Sequence, residues 1–142
     1  MFDLVKARAF LDSYDDASRS GDPAGLARHY AEPYTSFTLG HVEAFASREQ
    51  AVERVTPWLA RFLAFGLDDI RLVDGSVTPV SDSFGLCNAT WEIRPKDGTP
   101  PWRWLNVYGL RQDEHGQRFE FAISDNEITN LLQRYPAFMT LS

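Results

Sequence analysis

The change in hydrophobic period after Asp68 constrains the fold of this 142-residue chain more than any other feature. From that point apolar and polar residues alternate, which is the pattern of half-buried β-strands. Turn-forming residues at 81–83, 96–98 and 114–116 divide the alternating sequence into four segments. The predicted strands have the sequences DIRLVDGSVTPVS, SFGLCNATWEIRP, PWRWLNVYGLRQDE and QRFEFAIS. Because connections this short join antiparallel neighbours, we predict a meander of four antiparallel strands.

Two helical patterns open the chain. Apolar residues recur at steps of three and four up to Tyr14 and form one face of a first helix, which Gly21 ends. Asp22 suits the N-cap of a second helix, and Pro23 suits its first position. We expect this short helix to run up to Pro33.

A strand and a third helix complete the first half of the chain. The segment YTSFTL, residues 34–39, mixes β-branched and aromatic residues and predicts a strand. A Ser-x-x-Gln capping box at residues 47–50 precedes an apolar stripe and predicts a helix. Pro57 should kink this helix or restart it with Thr56 as a new cap. The order of elements predicts an α+β fold, in which helices cover one face of a strongly curved sheet, and we expect residues 1–142 to form a single domain.

The corner between the first two helices carries the most specific pattern of the chain. Residues 19–33 have the sequence RSGDPAGLARHYAEP, in which Gly21 to Ala31 follow Gly-Asp-x-x-x-Leu-x-x-x-Tyr-Ala. Together with the segments YTSFTLG, ATWEI and LNVYGLRQDEHG, this corner resembles the nuclear transport factor 2-like superfamily, over Phe2 to about Ser124. That superfamily includes ketosteroid isomerases, scytalone dehydratases and polyketide cyclase-like proteins. The resemblance implies a cystatin-like cone, whose mostly antiparallel sheet wraps around helices and encloses a cavity, but it does not imply one chemistry.

Charge, hydropathy and cysteine content disfavour several classes of partner. The net charge of -6, with basic residues scattered along the chain, argues against nucleic acid, and no apolar run approaches the roughly 20 residues of a membrane span. Cys87 is the only cysteine, so we expect no disulfide, an inert thiol and a cytoplasmic location. His29, His41 and His115 are not at metal-ligand spacing, and no phosphate-binding loop is present. We therefore predict neither a metal nor a cofactor.

The resemblance also assigns residues to a ligand-binding cavity. Alternation puts one set of residues on a single strand face, namely Trp104, Asn106 and Tyr108. The residues alone leave open whether this face is the inner or the outer one. The resemblance implies that it is the inner face. The expected ligand-binding residues are Thr38, Trp58, Trp91, Trp104, Asn106 and Tyr108. The simpler interpretation of Asn106 is a satisfied buried amide, and that of the tryptophans is core. A mostly apolar lining with few polar groups suits a small apolar or aromatic metabolite.

Tyr14 and Asp125 are the candidate catalytic residues. Tyr14 lies within the apolar stripe of its helix, which is typical of a core tyrosine, but the ketosteroid isomerase pattern has a tyrosine at the matching position. Asp125 follows the last strand, where polyketide cyclase-like members carry a catalytic carboxylate. It also falls within SDNE, residues 124–127, which has the pattern of a capping box and would open a last helix through Tyr135. The alternative role of Asp125 is therefore to complement the positive N-terminal end of that helix.

Two functional hypotheses follow from these residues. Thr38 stands where the isomerase pattern has its general base, and Tyr108 stands where it has a second carboxyl, which argues against a two-carboxylate isomerase. The first hypothesis is a small-molecule-binding domain with a mostly apolar pocket. The alternative is an isomerase, dehydratase or cyclase that acts by general acid–base catalysis on an apolar, oxygen-bearing substrate.

The presumed outer face of the sheet predicts a homodimer. Its apolar centre consists of Leu86, Leu105 and Val107, and its polar rim of Asn88, Thr90 and Arg103. Soluble monomers seldom leave such a patch in water.

Overall fold

The computed structural model describes residues 1–38, 41–124 and 126–140, which form four α-helices, one 3-10 helix and a six-stranded sheet. The helices are α1 (Leu4–Ser20), α2 (Pro23–Ala27), α3 (Arg48–Ala64), α4 (Glu127–Arg134) and the 3-10 helix η1 (Phe138–Thr140). The strands are β1 (Tyr30–Thr38), β2 (His41–Phe45), β3 (Ile70–Ser81), β4 (Phe84–Ile93), β5 (Trp102–Asp113) and β6 (Gly116–Ser124). The predicted α+β class is confirmed.

The sheet has the strand order β2-β1-β6-β5-β4-β3. Strands β3 to β6 form the predicted antiparallel meander, and β1 with β2 forms a separate antiparallel hairpin. The hairpin joins the meander through a parallel pairing of β1 with β6, in which Thr38 lies opposite Ser124. This mostly antiparallel sheet curves into the cystatin-like cone that the resemblance implies, and the parallel pairing brings the end of β1 next to the end of β6.

The inner face of the sheet carries the buried aromatic residues. On β5, Trp104, Asn106 and Tyr108 are buried, whereas Leu105 between them is 47% exposed. Helix α1 packs against β3 and β6, and α2 packs against α3. The face that the resemblance assigned to the cavity is therefore the face under the helices.

The corner after α1 differs from the expectation in the length of α2. Gly21 ends α1 in the left-handed conformation, with a φ of 61°, and Asp22 occupies the N-cap position of α2 without a side-chain hydrogen bond. However, α2 ends at Ala27, and the chain enters β1 at Tyr30 instead of remaining helical up to Pro33. The physical reason is tertiary pairing, because Tyr30 pairs with Phe119 of β6 and thereby starts a strand.

The first half of the chain differs from the expectation in two further respects. His41 lies in β2, a strand that the sequence did not predict. Helix α3 continues through Pro57 without a restart, and the Thr56 hydroxyl donates to the Val52 carbonyl at 2.6 Å within the helix instead of capping a new one. The carbonyl that loses its helical partner at Pro57 belongs to Glu53, an exposed residue.

No helix among the described residues is both long enough and apolar enough to span a lipid bilayer.

Candidate functional site

A cavity of about 500 Å³ lies between the inner face of the sheet and the helices. Each described residue that was predicted for the site contributes to its lining, namely Tyr14, Thr38, Trp58, Trp91, Trp104, Asn106 and Tyr108. Trp91 and Trp104 form part of the wall and do not fill the space. The volume falls within the range of about 300–1,000 Å³ that is typical of small-molecule sites.

Tyrosine hydroxyls form one part of this lining. The Tyr14 and Tyr30 hydroxyl oxygens lie 2.6 Å apart, and the Tyr30 ring stacks on Tyr34 with 4.0 Å between centroids. Burial raises the pKa of Tyr14 well above its ordinary value and that of Tyr30 to about 12. These phenols are therefore neutral at physiological pH, and Tyr14 is bonded to another hydroxyl and not to a backbone carbonyl.

Tyr108 is the centre of a second hydrogen-bonded group on β4 and β5. Its phenol oxygen accepts the Trp91 indole N–H at 3.0 Å and the Asn106 amide N–H at 3.1 Å. Because two donors occupy its lone pairs, the Tyr108 hydroxyl can act toward a further group only as a donor. Burial raises the pKa of Tyr108, so this proton is retained.

Two buried polar atoms of the lining have no hydrogen-bond partner among the described residues. They are Nε1 of Trp104, a donor, and Oδ1 of Asn106, an acceptor. A buried polar atom without a partner costs free energy, so most such atoms in proteins are paired. Asn106 is consequently a half-satisfied amide, in contrast to the fully satisfied one of the simpler interpretation.

Glu127 is a site residue that the sequence analysis missed. It is half-buried in the first turn of α4, lines the cavity and accepts the Ser124 hydroxyl at 3.1 Å. Burial raises the pKa of the Glu127 carboxyl. The sequence suggested only a helix cap here, but the N-cap position belongs to Asn126, and Ser124 contacts the carboxylate. One sequence signal could have identified Glu127. It lies four residues before Leu131, which is buried, so the two residues share a face of α4.

The remaining predicted residues have less definite surroundings. Asp125 lies outside the described residues. Thr38 is half-buried at the end of β1, and its hydroxyl donates to the His41 carbonyl at 3.4 Å. Trp58 of α3 contacts Phe62 and Phe138 edge-on, with centroids 5.4 and 5.3 Å apart, so it belongs both to the core and to the cavity wall.

Charged side chains at the β2 side of the lining form ion pairs. The Glu43 carboxylate accepts from Arg54 of α3 at 2.9 Å, and His41 Nε2 lies 3.5 Å from the same carboxylate. Among the described residues, no three His, Cys, Asp or Glu side chains converge to hold a metal ion. The absence of a metal or cofactor nevertheless stays a prediction.

Comparison with protein families gives one match. The family model described as NTF2-like protein (DUF6841) matches residues 5–127, which is most of the chain. No curated protein matches the sequence significantly.

Solved structures with the same fold are numerous, and three illustrate the likeness. A cystatin-like protein of unknown function from Nostoc punctiforme is 19% identical, with a TM-score of 0.67, over 97% of this chain and 86% of that one. An NTF2-like protein with a cystatin-like fold from Novosphingobium aromaticivorans is 17% identical, with a TM-score of 0.68, over 85% and 79%. A ketosteroid isomerase-like protein from Erwinia carotovora is 14% identical, with a TM-score of 0.59, over 86% and 94%. At these identities the likeness shows the fold alone.

Proposed function

This chain belongs to the NTF2-like protein family DUF6841, and we propose that its cavity binds a small, largely apolar organic molecule that carries a hydrogen-bonding oxygen. The observation that carries the proposal is an aromatic-lined cavity of about 500 Å³, two of whose wall residues, Trp104 and Asn106, each have a buried polar atom without a hydrogen-bond partner among the described residues. The aromatic rings supply apolar contact area, and the two polar atoms select the orientation of the bound molecule.

The Trp104 indole indicates which ligand group lies at β5. An N–H can only donate, so it requires an acceptor such as a carbonyl or ether oxygen. The hydroxyl of Tyr108, which lies four residues after Trp104 on the same strand face, is also restricted to donation. Two donors along one strand face favour an oxygen acceptor on the ligand.

Binding of 1-tetralone and of tetralin, which lacks its carbonyl oxygen, tests this proposal by isothermal titration calorimetry. We expect tetralone to bind about five- to tenfold more tightly, which corresponds to one hydrogen bond of about 1 kcal/mol. Trp104→Phe should abolish the difference. Trp102→Phe is the matched control, because Trp102 is also buried with an unpartnered Nε1 but lies under Arg134 and is not part of the cavity lining. Failure of both compounds to bind would contradict the proposal.

A second candidate function is general acid–base catalysis by an isomerase, dehydratase or cyclase. It is favoured by Glu127, a carboxyl whose pKa is raised by burial and which shares the cavity with Tyr14 and Tyr108. A carboxyl with a raised pKa can exchange protons with a substrate closer to neutral pH. Exchange of the α-hydrogens of 1-tetralone in deuterated buffer, followed by NMR, tests this activity. It should be lost in Glu127→Gln and weakened in Tyr14→Phe, and a wild-type rate equal to that of buffer would exclude it for this substrate.

A further inference from the structure

We propose that the molecule bound in the cavity carries a protonated amine, which the carboxylate of Glu127 holds at the end where β5, β6 and α4 meet. This inference rests on the proposed function and specifies its ligand class. It adds a basic nitrogen to the oxygen-bearing, largely apolar ligand.

Two hydrogen-bond acceptors, Asn106 Oδ1 and the Glu127 carboxylate, belong to lining residues at this end of the cavity. The pairing of Val107 with Ile123 puts Asn106 and Ser124 next to each other on the inner face of the sheet, and both line the cavity. The Ser124 O–H is committed to Glu127 Oε2, while Asn106 Oδ1 has no donor. A carboxylate can accept several further hydrogen bonds. A protonated amine supplies up to three donors and a positive charge.

The charge of Glu127 is also uncompensated within the described part of the chain. No described lysine, arginine or histidine forms an ion pair with its carboxylate, and its hydrogen bond comes from Ser124. Of the basic residues in the lining, Arg54 pairs with Glu43 at 2.9 Å, and Arg61 lies over the Phe138 ring, 6.0 Å from its centroid. Because a partly desolvated carboxylate gains from a cationic partner, a bound ammonium group would stabilise it.

Aromatic side chains line the cavity together with Glu127. Tyr30, Tyr34 and Tyr108 are among them, and their pKa values are raised chiefly by burial, with a smaller contribution from the negative charge of Glu127. The ring of Trp104 lines the same cavity. A cation over tyrosine and tryptophan faces gains cation–π attraction, most of all where it is removed from water. An anionic ligand would instead meet the negative faces of these rings together with the carboxylate.

Three probes of equal skeleton test the inference on the full chain, at neutral pH, by isothermal titration calorimetry. They are 2-aminotetralin, which is protonated, tetralin, which is neutral, and tetralin-2-carboxylate. We expect the amine to bind roughly tenfold more tightly than tetralin, and the carboxylate to bind most weakly. Glu127→Gln should abolish the preference for the amine over tetralin. Glu53→Gln is the charge-matched control on the exposed side of α3, and it should keep the preference.

The outcomes separate this inference from the function on which it rests. If tetralin or tetralone binds but the amine binds no more tightly than tetralin, the amine site is wrong and the small-molecule site stands. A preference that survives in Glu127→Gln also overturns the inference, because the cation would then be held elsewhere. If none of the compounds binds, both proposals fail. Should Glu127→Gln not fold, the ranking of the three probes on the wild-type protein decides the matter.

Discussion

The hydroxyl groups of Tyr14 and Tyr30 form a buried hydrogen bond of 2.6 Å that joins the middle of α1 to the first residue of β1. Both residues are under 10% exposed, at 8% and 5%. Removal of one hydroxyl therefore leaves the other without its partner in a place that water reaches poorly.

We expect Tyr14→Phe and Tyr30→Phe each to lower the free energy of unfolding by about 1–2 kcal/mol. The double variant should cost less than the sum of the two, because neither hydroxyl is then left unpaired. Urea unfolding at neutral pH measures all three values. Strict additivity would show that the two hydroxyls do not interact in solution.

Gly109 of β5 lies directly beneath the ring of Phe121 of β6, and the two residues are paired across the strands. A Cβ atom at position 109 would lie 2.1 Å from Cε2 of Phe121. We expect Gly109→Ala to destabilise the protein by about 1–3 kcal/mol, because the ring must leave its position. Thermal unfolding of Gly109→Ala with Phe121→Leu tests the cause, since the smaller side chain should recover part of the loss. No recovery would assign the effect to the backbone.

We propose that the outer face of β4 and β5 forms a homodimer interface. Leu86 and Leu105 are 37% and 47% exposed there, beside Val107. Leu105→Glu should halve the mass measured by sedimentation velocity at micromolar concentration, because it puts a charge in the apolar centre. Leu63→Glu on α3, at a position that is 61% exposed, is the control and should remain dimeric. A wild-type protein of monomer mass would contradict the proposal.

His29 links the end of α2 to α1. Its Nδ1 lies 2.8 Å from the Gly25 carbonyl, to which it donates, and its Nε2 lies 2.8 Å from the Ser13 hydroxyl, from which it accepts. Burial lowers the pKa of His29. The unfolded chain therefore binds a proton at a higher pH than the folded one does.

We consequently expect the free energy of unfolding to fall as the pH is lowered through about 6.5, the ordinary value for histidine. The slope between pH 7.5 and pH 5.5, from urea unfolding, should be shallower in His29→Gln. His115→Gln, in the exposed turn between β5 and β6, should keep the wild-type slope. An unchanged slope in His29→Gln would show that His29 is not the group responsible.

Local sequence signals predicted the second half of the fold better than the first. Alternation after Asp68 predicted β3 to β6, and in β4 and β5 it reflects largely alternating buried and exposed positions. Strand β2 has no such signal, since it is a five-residue edge strand whose regularity comes from its pairing with β1. The end of α2 was missed for a related reason. Tyr30 pairs with Phe119, which lies 89 residues further along the chain.

The candidate site shows the same difference between local sequence signals and contacts that are distant in the chain. Trp104, Asn106 and Tyr108 could be placed together because one strand face carries all three. Glu127 could not, because its entry into the cavity depends on the direction in which α4 leaves β6. The catalytic role predicted for Tyr14 stays a prediction, as does that of Asp125.

The parallel pairing of β1 with β6 sets an order on the biosynthesis of this protein. Thr35 pairs with Phe121, which is translated 86 residues after it. Until then the β1–β2 hairpin has a free edge, and contacts of such high sequence separation slow folding. That edge is therefore open to pairing with other chains during synthesis, and the cone can close only after β6 has left the ribosome.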